Sequence, residues 1–268
     1  MMPAPRHDPG GLHYRVTGPE GGLTLVLSGT LGSDLRVWEP LLPCLPQDIR
    51  VLRYDHRGHG ESLAPDGPYT MGQLVRDTET LLDHLRIRGA VFLGQGLGGL
   101  VAQALATKRP DLLRAMVLSG TGARLDTAEL WGARAQRVRT QGLPVIAEQV
   151  LKGWFTPAFQ RSPAISVWRD MLFECPPQGW AGCAQAIAGS DFYATTARLA
   201  LPVLGLTGDR DALTPPDLVR ETTELVAGSQ FAILRRAGHL AHVEQPEEFS
   251  RLVTGFLCDC GFLARGSY

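Results

Sequence analysis

The chain has 268 residues, of which 44% are hydrophobic and 20% are charged, and its formal net charge is -1. This composition supports a large buried core and excludes a disordered chain. It shows no basic stripe for nucleic acid and no apolar run long enough to cross a membrane, so we expect neither partner. Residues 1–10 lack the apolar stretch of a signal peptide, and the expected location is the cytoplasm.

The first part of the chain alternates between predicted strands and helices. Strands are expected at residues 12–17, 23–27, 49–54, 90–93 and 115–119, and helices at 37–45, 71–85 and 97–108. The strand at 23–27 is almost wholly apolar, as a strand buried on both faces should be. The helix at 71–85 has an apolar face at helical spacing. This alternation predicts the α/β class with a mostly parallel, doubly wound sheet.

The alternation stops between residues 126 and 197, where several short helices are expected. This stretch contains four of the five tryptophans, namely Trp131, Trp154, Trp168 and Trp180. The alternation then resumes, with strands at 202–207 and 231–234 and helices at 218–226 and 247–257. We therefore expect a core domain formed by residues 1–125 and 198–268, with a helical lid, residues 126–197, inserted into it.

A glycine-rich turn, Gly94-Gln95-Gly96-Leu97-Gly98, lies between the strand at 90–93 and the helix at 97–108. In this setting the pattern Gly-x-Ser-x-Gly presents a nucleophilic serine, but Gly96 occupies the serine position here. Glycine adopts the backbone that such a turn demands and projects no side chain. Gln95 cannot replace the serine, since an amide is a poor nucleophile, and its side chain is expected to be solvent-exposed or packed.

Two further loops follow predicted strands, where ligands bind on open parallel sheets. The first contains Asp209 and Asp211, and the second contains His239 and His242. The order of turn, acid and histidine is that of a catalytic triad, in which the histidine takes the nucleophile's proton and the acid orients the histidine. The spacing Gly-x-x-Asp-x-x-x-Pro favours Asp211, and Asp209 is expected to cap its loop.

Metal binding has two possible sequence signals, and neither is strong. His56 and His59 lie with Asp55 in a polar loop, where hydrogen bonding within the loop is favoured over a metal site. The cysteines match no zinc spacing and are expected to be reduced thiols. They are Cys44, Cys175, Cys183, Cys258 and Cys260. We expect neither a metal nor a cofactor.

From residue 12 to residue 257 the chain resembles the 3-oxoadipate enol-lactonases, β-ketoadipate-pathway members of the α/β-hydrolase family. The matching segments are residues 27–34, 51–60, 67–70, 154–157 and 243–246. The most particular are Ser28-Gly29-Thr30-Leu31-Gly32 and Trp154-Phe155-Thr156-Pro157. The departure from the family pattern is Gly96, where the family has serine.

The resemblance implies an α/β-hydrolase fold and a role for each site residue. Asp211 becomes the triad acid and His239 the base, since Gly238 before His239 matches the family's loop. The backbone N–H groups of Thr30 and Leu97 become the oxyanion hole.

The resemblance also implies a small lactone or ester that carries a carboxylate as the substrate. Trp131, Trp154 and Arg134 are the candidate contacts, because arginine pairs with a planar carboxylate through two parallel hydrogen bonds. Trp131 and Arg134 are three residues apart, a spacing equally consistent with one packed and one solvated helix position.

Gly96 leaves several interpretations open. The glycine either replaces the serine of an otherwise normal hydrolase or is native. A native glycine would make the chain a catalytically silent small-molecule binder, or an enzyme in which His239 and Asp211 activate a water in the space that the serine vacates. We favour an ester or lactone hydrolase of the enol-lactonase type.

Overall fold

A computed structural model describes residues 6–264 of the chain. Within this range eight strands form one sheet, in the order β1-β2-β4-β3-β5-β6-β7-β8. The strands are Arg6–His7 (β1), His13–Thr17 (β2), Thr24–Ser28 (β3), Arg50–Tyr54 (β4), Ala90–Gln95 (β5), Leu113–Ser119 (β6), Val203–Gly208 (β7) and Gln230–Leu234 (β8). β2 pairs antiparallel with β1 and β4, and every other neighbouring pair is parallel. The predicted mostly parallel sheet is confirmed, although β1 was not predicted.

Eleven α-helices are described over the same residues. They are Met71–His84 (α1), Leu97–Lys108 (α2), Ala128–Gln141 (α3), Pro144–Trp154 (α4), Pro157–Gln160 (α5), Ile165–Glu174 (α6), Pro177–Ala188 (α7), Tyr193–Thr196 (α8), Pro216–Glu224 (α9), Ala241–Glu244 (α10) and Pro246–Asp259 (α11). Helices α3 to α8, which we call the inserted helices, lie between β6 and β7 in the chain. Within residues 6–264, no helix is long and apolar enough to span a membrane.

Local sequence explains where α1 begins and why no α-helix forms at residues 37–45. Thr70 and Gln73 form a capping box at the start of α1, which satisfies backbone N–H groups that lack helical partners. The helix predicted at residues 37–45 is absent, and two short 3-10 helices, Leu35–Trp38 and Leu42–Cys44, occupy this region. Prolines at positions 40 and 43 explain the difference, because each removes a backbone donor and its ring clashes with the preceding turn.

The centre of the sheet is covered on both faces. All residues of β5 and β7 are buried, which explains their nearly continuous apolar sequences. Ser28 at the end of β3 lies beside Gly94 of β5, and Gly208 at the end of β7 lies beside Leu234 of β8. The loops that follow these strands therefore emerge at the same edge of the sheet.

The loop after β4 makes a close contact with the inserted helices. Gly58 has a φ of +74°, and a Cβ atom built on it would overlap the Cα of Gly179 in α7. A Cβ atom built on Gly179 would in turn overlap the carbonyl oxygen of Gly58. Both positions therefore require glycine, which lets the backbone of α7 rest directly on this loop.

Candidate active site

Asp211 and His239 form a buried pair at the edge of the sheet where the strand-end loops meet. Nδ1 of His239 lies 2.9 Å from Oδ2 of Asp211, and each residue is 4% exposed. The other carboxylate oxygen of Asp211 accepts hydrogen bonds from the backbone N–H groups of Leu213 and Thr214, both at 2.9 Å. The Thr214 hydroxyl donates to Oδ2 at 2.6 Å. These contacts fix the carboxylate in the orientation that meets the imidazole.

The ionisation of Asp211 follows from two opposing effects. Burial by itself raises the pKa of a carboxyl group, because it disfavours the charged form. The neighbouring charge and hydrogen bond of His239, together with the hydrogen bonds from Thr214, outweigh burial and hold the pKa of Asp211 below its usual value. Asp211 is therefore a carboxylate at neutral pH and can orient the histidine.

Asp209 and His242, the other aspartate and histidine of these two loops, take no part in this pair. Asp209 accepts a hydrogen bond from the backbone N–H of Ala237 at 3.3 Å, as expected for a residue that caps its loop. His242 is fully buried and stacks on Trp38, with ring centroids 4.3 Å apart. Burial lowers the pKa of His242 to about 3, and the charge of His239 adds to this effect. The fold thus brings Asp211, rather than Asp209, to His239.

Gly96 lies at the turn between β5 and α2, beside the histidine. Its φ of +54° falls in the left-handed region that favours glycine. A Cβ atom built on Gly96 would lie 3.4 Å from Nε2 of His239. Position 96 therefore stands where a side-chain nucleophile would meet the base.

The space beside Gly96 is occupied by Thr30. The Thr30 hydroxyl lies 3.5 Å from Nε2 of His239, and a Cβ atom on Gly96 would overlap this hydroxyl. The loop after β3 is held over the turn by a hydrogen bond from the Gly98 N–H to the Gly29 carbonyl, at 3.1 Å. The Thr30 hydroxyl therefore takes up part of the space that the serine side chain would occupy, and a water activated by His239 stays a hypothesis.

The two predicted oxyanion-hole residues both line the cavity described below. Leu97 is the first residue of α2, so its N–H has no partner within the helix and lies at the positive end of the helix dipole. Thr30 belongs to the loop after β3, which carries the predicted second donor. Backbone N–H groups in such positions suit a developing oxyanion.

His56 and His59 support the loop that carries Thr30. Nε2 of His56 donates to the Gly29 carbonyl at 3.1 Å, and Nε2 of His59 accepts from the Gly32 N–H at 3.0 Å. Burial lowers the pKa of His56 to about 3, with a further contribution from the charge of His59. Within residues 6–264 no group of three or more His, Cys, Asp or Glu side chains is arranged to hold a metal ion.

A cavity of about 100 Å³ opens in front of Gly96 and His239, between the sheet edge and the inserted helices. Its wall is mainly apolar. The residues that line it are Thr30, Leu31, Gly96, Leu97, Leu125, Asp126, Trp131, Arg134, Ile146, Gln149, Val150, Trp154, Trp180, Ile187, Leu213, Thr214 and His239. All the predicted site residues except Asp211, which lies behind His239, are thus part of the lining.

Arg134 is the cationic side chain of the lining, and it already has partners. Its guanidinium lies 2.9 Å from a carboxylate oxygen of Asp126 and sits 4.7 Å above the Trp131 ring. The indole N–H of Trp131 donates to the Leu125 carbonyl at 2.7 Å, which fixes the ring. Trp154 is buried against the cavity and is 1% exposed. Trp131 and Arg134 therefore stand together rather than on separate packed and solvated faces.

Three side chains that support the site were missed or misjudged from sequence. Gln95 is fully buried and donates a hydrogen bond to the His239 carbonyl at 2.9 Å, so of the two expectations packing was right and solvent exposure was wrong. The Thr121 hydroxyl donates to the Gly96 carbonyl at 2.8 Å. Thr214 was not singled out, although its position three residues after Asp211 is typical of side chain to backbone hydrogen bonding in turns.

Glu244 connects the histidine loop to the inserted helices. Its carboxylate accepts the Gly238 N–H and the Thr156 hydroxyl, each at 2.6 Å. The Leu240 N–H donates to the Trp154 carbonyl at 3.0 Å, close to the same place. Two of the segments singled out in the sequence, residues 154–157 and 243–246, are therefore joined directly beside His239.

Comparison with known proteins agrees with this architecture. Residues 25–252 match the model of the Alpha/beta hydrolase family. The chain is 36% identical to 3-oxoadipate enol-lactonase 2 of Acinetobacter baylyi, over 90% of this chain and 91% of that protein. The crystal structure of the enol-lactonase from Burkholderia xenovorans LB400 superposes with a TM-score of 0.89 at 37% identity, covering 92% of this chain and 96% of that one. A thermophilic esterase from Thermogutta terrifontis superposes with a TM-score of 0.87 at 32% identity, covering 92% and 93%.

Proposed function

The chain belongs to the α/β-hydrolase family, and we propose that it hydrolyses a small lactone or ester that carries a carboxylate, as an enol-lactonase does. The observation that carries this proposal is the hydrogen bond between Asp211 and His239 beside the cavity. When Nδ1 of His239 donates to Asp211, the lone pair of Nε2 is free to take a proton from a nucleophile. An orienting acid and a base at the wall of an apolar cavity suit acyl transfer.

The proposed oxyanion hole consists of the N–H groups of Thr30 and Leu97. Attack on the carbonyl carbon drives its electron pair onto oxygen, and backbone donors fixed before the reaction stabilise this charge. The support comes from the position of Leu97 at the N-terminus of α2 and from the presence of both residues in the cavity wall.

The proposed substrate contacts are Arg134, Trp131 and Trp154, and residues 126–197 are proposed to act as the lid over them. The indole rings supply an apolar wall for the carbon skeleton. Arg134 would exchange its bond with Asp126 for the carboxylate of the substrate, which offers the same planar acceptor.

The test compares the wild type with His239→Ala on simple lactones and carboxylate-bearing esters. We expect kcat/KM to fall by about 10³-fold or more in His239→Ala, because every proton transfer depends on this ring. Asp209→Asn is a matched control, since Asp209 only caps its loop. Equal activity in the wild type and in His239→Ala would contradict the proposal.

A second candidate function is binding without turnover. Gly96 favours it, because the family's serine position has no side-chain nucleophile. In that case calorimetry would detect binding of a lactone or of its hydrolysis product, and the wild type would convert none of the lactone. Hydrolysis that depends on His239 excludes this second function.

A further inference from the structure

We propose that the Thr30 hydroxyl is the nucleophile of this protein, in place of the missing serine at position 96. The proposal rests on the hydrolase function above and names the atom that attacks. Threonine carries an alcohol, as serine does, and a neighbouring base can activate it.

The position of the hydroxyl is the first argument. It lies 3.5 Å from Nε2 of His239, and a Cβ atom on Gly96 would lie 3.4 Å from the same nitrogen. That Cβ atom would overlap the Thr30 hydroxyl. The threonine oxygen thus occupies the volume into which a side chain at position 96 would extend, and it faces the same nitrogen of the base.

The second argument is that the described cavity wall offers one other hydroxyl, and that hydroxyl is engaged. Thr214 lies 3.1 Å from Nδ1 of His239, which is the nitrogen bound to Asp211, and its own proton goes to Asp211. It therefore stands on the orienting side of the ring. Thr30 stands on the reactive side.

The third argument is that the backbone of Thr30 is held in place. Its carbonyl accepts hydrogen bonds from the Ser33 hydroxyl at 2.8 Å and from the Ser33 N–H at 3.2 Å. Two residues further along this loop, the Gly32 N–H donates to Nε2 of His59. Thr30 lines the cavity and is 4% exposed, so its hydroxyl is largely shielded from bulk water. The hydroxyl must approach Nε2 by roughly half an ångström to make an ordinary hydrogen bond, as catalytic pairs do when substrate binds.

The reaction balances with water as the only co-reactant. Nε2 of His239 takes the Thr30 proton while the oxygen forms a bond to the carbonyl carbon. The tetrahedral oxyanion collapses, the bond to the leaving oxygen breaks, and His239 returns the proton to that oxygen. A water then gives its proton to His239 and attacks the threonine ester, and Thr30 leaves with the proton from His239.

The test uses three variants and a probe that needs no knowledge of the substrate. Thr30→Val keeps the shape and the backbone N–H but lacks the hydroxyl, Thr30→Ser keeps a hydroxyl, and His239→Ala lacks the base. A fluorophosphonate bonds its phosphorus to an activated hydroxyl and releases fluoride. We expect peptide mass spectrometry to find the label on Thr30 in the wild type and on Ser in Thr30→Ser, and no label in Thr30→Val or His239→Ala. Circular dichroism of each variant establishes that it is folded.

Turnover gives an independent readout. We expect kcat/KM on the best ester to fall by about 100-fold or more in Thr30→Val and to remain within about tenfold in Thr30→Ser. Wild-type activity retained in Thr30→Val, or a label on another residue or on none, would overturn the role of Thr30. If His239→Ala is then still inactive, the proposed hydrolase function stands with a water as nucleophile. Activity that is independent of His239 overturns both proposals.

Discussion

Oε2 of Glu244 lies 2.6 Å from the backbone nitrogen of Gly238, the residue directly before His239. The Thr156 hydroxyl donates to the other oxygen of the same carboxylate. Burial raises the pKa of Glu244, while these hydrogen bonds act in the opposite direction. One half-buried side chain therefore sets the path of the histidine loop and attaches it to the inserted helices.

Glu244→Ala is expected to destabilise the protein and to impair His239. The substitution leaves the Gly238 N–H and the Thr156 hydroxyl without their acceptor, which costs about 1–3 kcal/mol. Urea unfolding measures this loss, and a lactone assay measures the accompanying fall in kcat. Glu247→Ala is the control, because Glu247 is exposed on α11. Unfolding midpoints that coincide for the two variants would show that the Glu244 contacts contribute little.

Stability is expected to fall as the pH is lowered from about 6.5 towards 3, because His56 and His242 are buried as neutral rings. Burial lowers the pKa of each from 6.5 to about 3. Between these two pKa values the unfolded chain binds protons that the folded chain does not, so acid favours unfolding. The full stability is present only above the pKa of histidine in the unfolded chain. Each ring lowers the free energy of unfolding by up to about 1.4 kcal/mol for each pH unit of acidification in this range.

His242→Phe isolates one of these rings while keeping an aromatic partner for Trp38. We expect the free energy of unfolding to decline less steeply with falling pH in this variant than in the wild type. Urea unfolding at several pH values across the window measures the two slopes. His84→Gln removes an exposed histidine and serves as the control. Parallel curves for the wild type and His242→Phe would contradict the assignment.

Gly96→Ser by itself is expected to gain less activity than the same variant with a shortened Thr30, because the Thr30 hydroxyl must first move aside. Gly96→Ser forces a left-handed φ on a residue with a side chain, at a cost of about 1–3 kcal/mol, and its Cβ overlaps the Thr30 hydroxyl. The double variant Gly96→Ser with Thr30→Ala removes the overlapping oxygen and is expected to exceed Gly96→Ser by about tenfold or more in kcat/KM. Gly96→Ala with Thr30→Ala has the same backbone strain and no hydroxyl, and it should remain inactive. A single Gly96→Ser variant as stable as the wild type would argue against the overlap.

Arg134→Ala is expected to raise KM for carboxylate-bearing lactones by about tenfold or more, with little change in kcat, because binding and not chemistry loses a partner. Asp126→Asn is the matched variant. It removes the internal competitor for Arg134, so its KM should be equal to or lower than that of the wild type. Steady-state kinetics on a lactone with a carboxylate and on a neutral ester separates the two effects. An unchanged KM in Arg134→Ala would exclude Arg134 as the carboxylate partner.

The parts of the fold that depend on local chemistry were predictable from sequence. Helix α2 spans Leu97–Lys108 as expected, because a glycine turn precedes it and a proline follows it. The helix expected at residues 37–45 was wrong, because the prolines at positions 40 and 43 allow only two short 3-10 helices there. The penalty of a proline within a helix overrides the gain from an apolar face.

The side chains around His239 were less predictable, because their directions depend on distant parts of the chain. Thr30 was singled out for its backbone N–H, and the position of its hydroxyl depends on His239, which is 209 residues away. Gln95 was expected to be exposed or packed, and its partner is the His239 carbonyl, 144 residues away. Such contacts require the sheet order, which places the loops after β3, β5 and β8 at one edge. Periodicity within a segment carries no information about them.

The inserted helices also bear on any attempt to exchange this part of the chain for that of a relative. Among their contacts with the rest of the chain are two that depend on a particular residue outside the insertion: the Gly58 backbone against Gly179, and the Glu244 carboxylate against Thr156. In a chimera that transfers residues 126–197 alone, Gly179 could not pack against position 58 wherever the recipient has a side chain at that position. The insertion would also lose its link to the histidine loop wherever the recipient lacks the carboxylate. An exchange of the inserted helices should therefore include positions 58 and 244 together with the insertion.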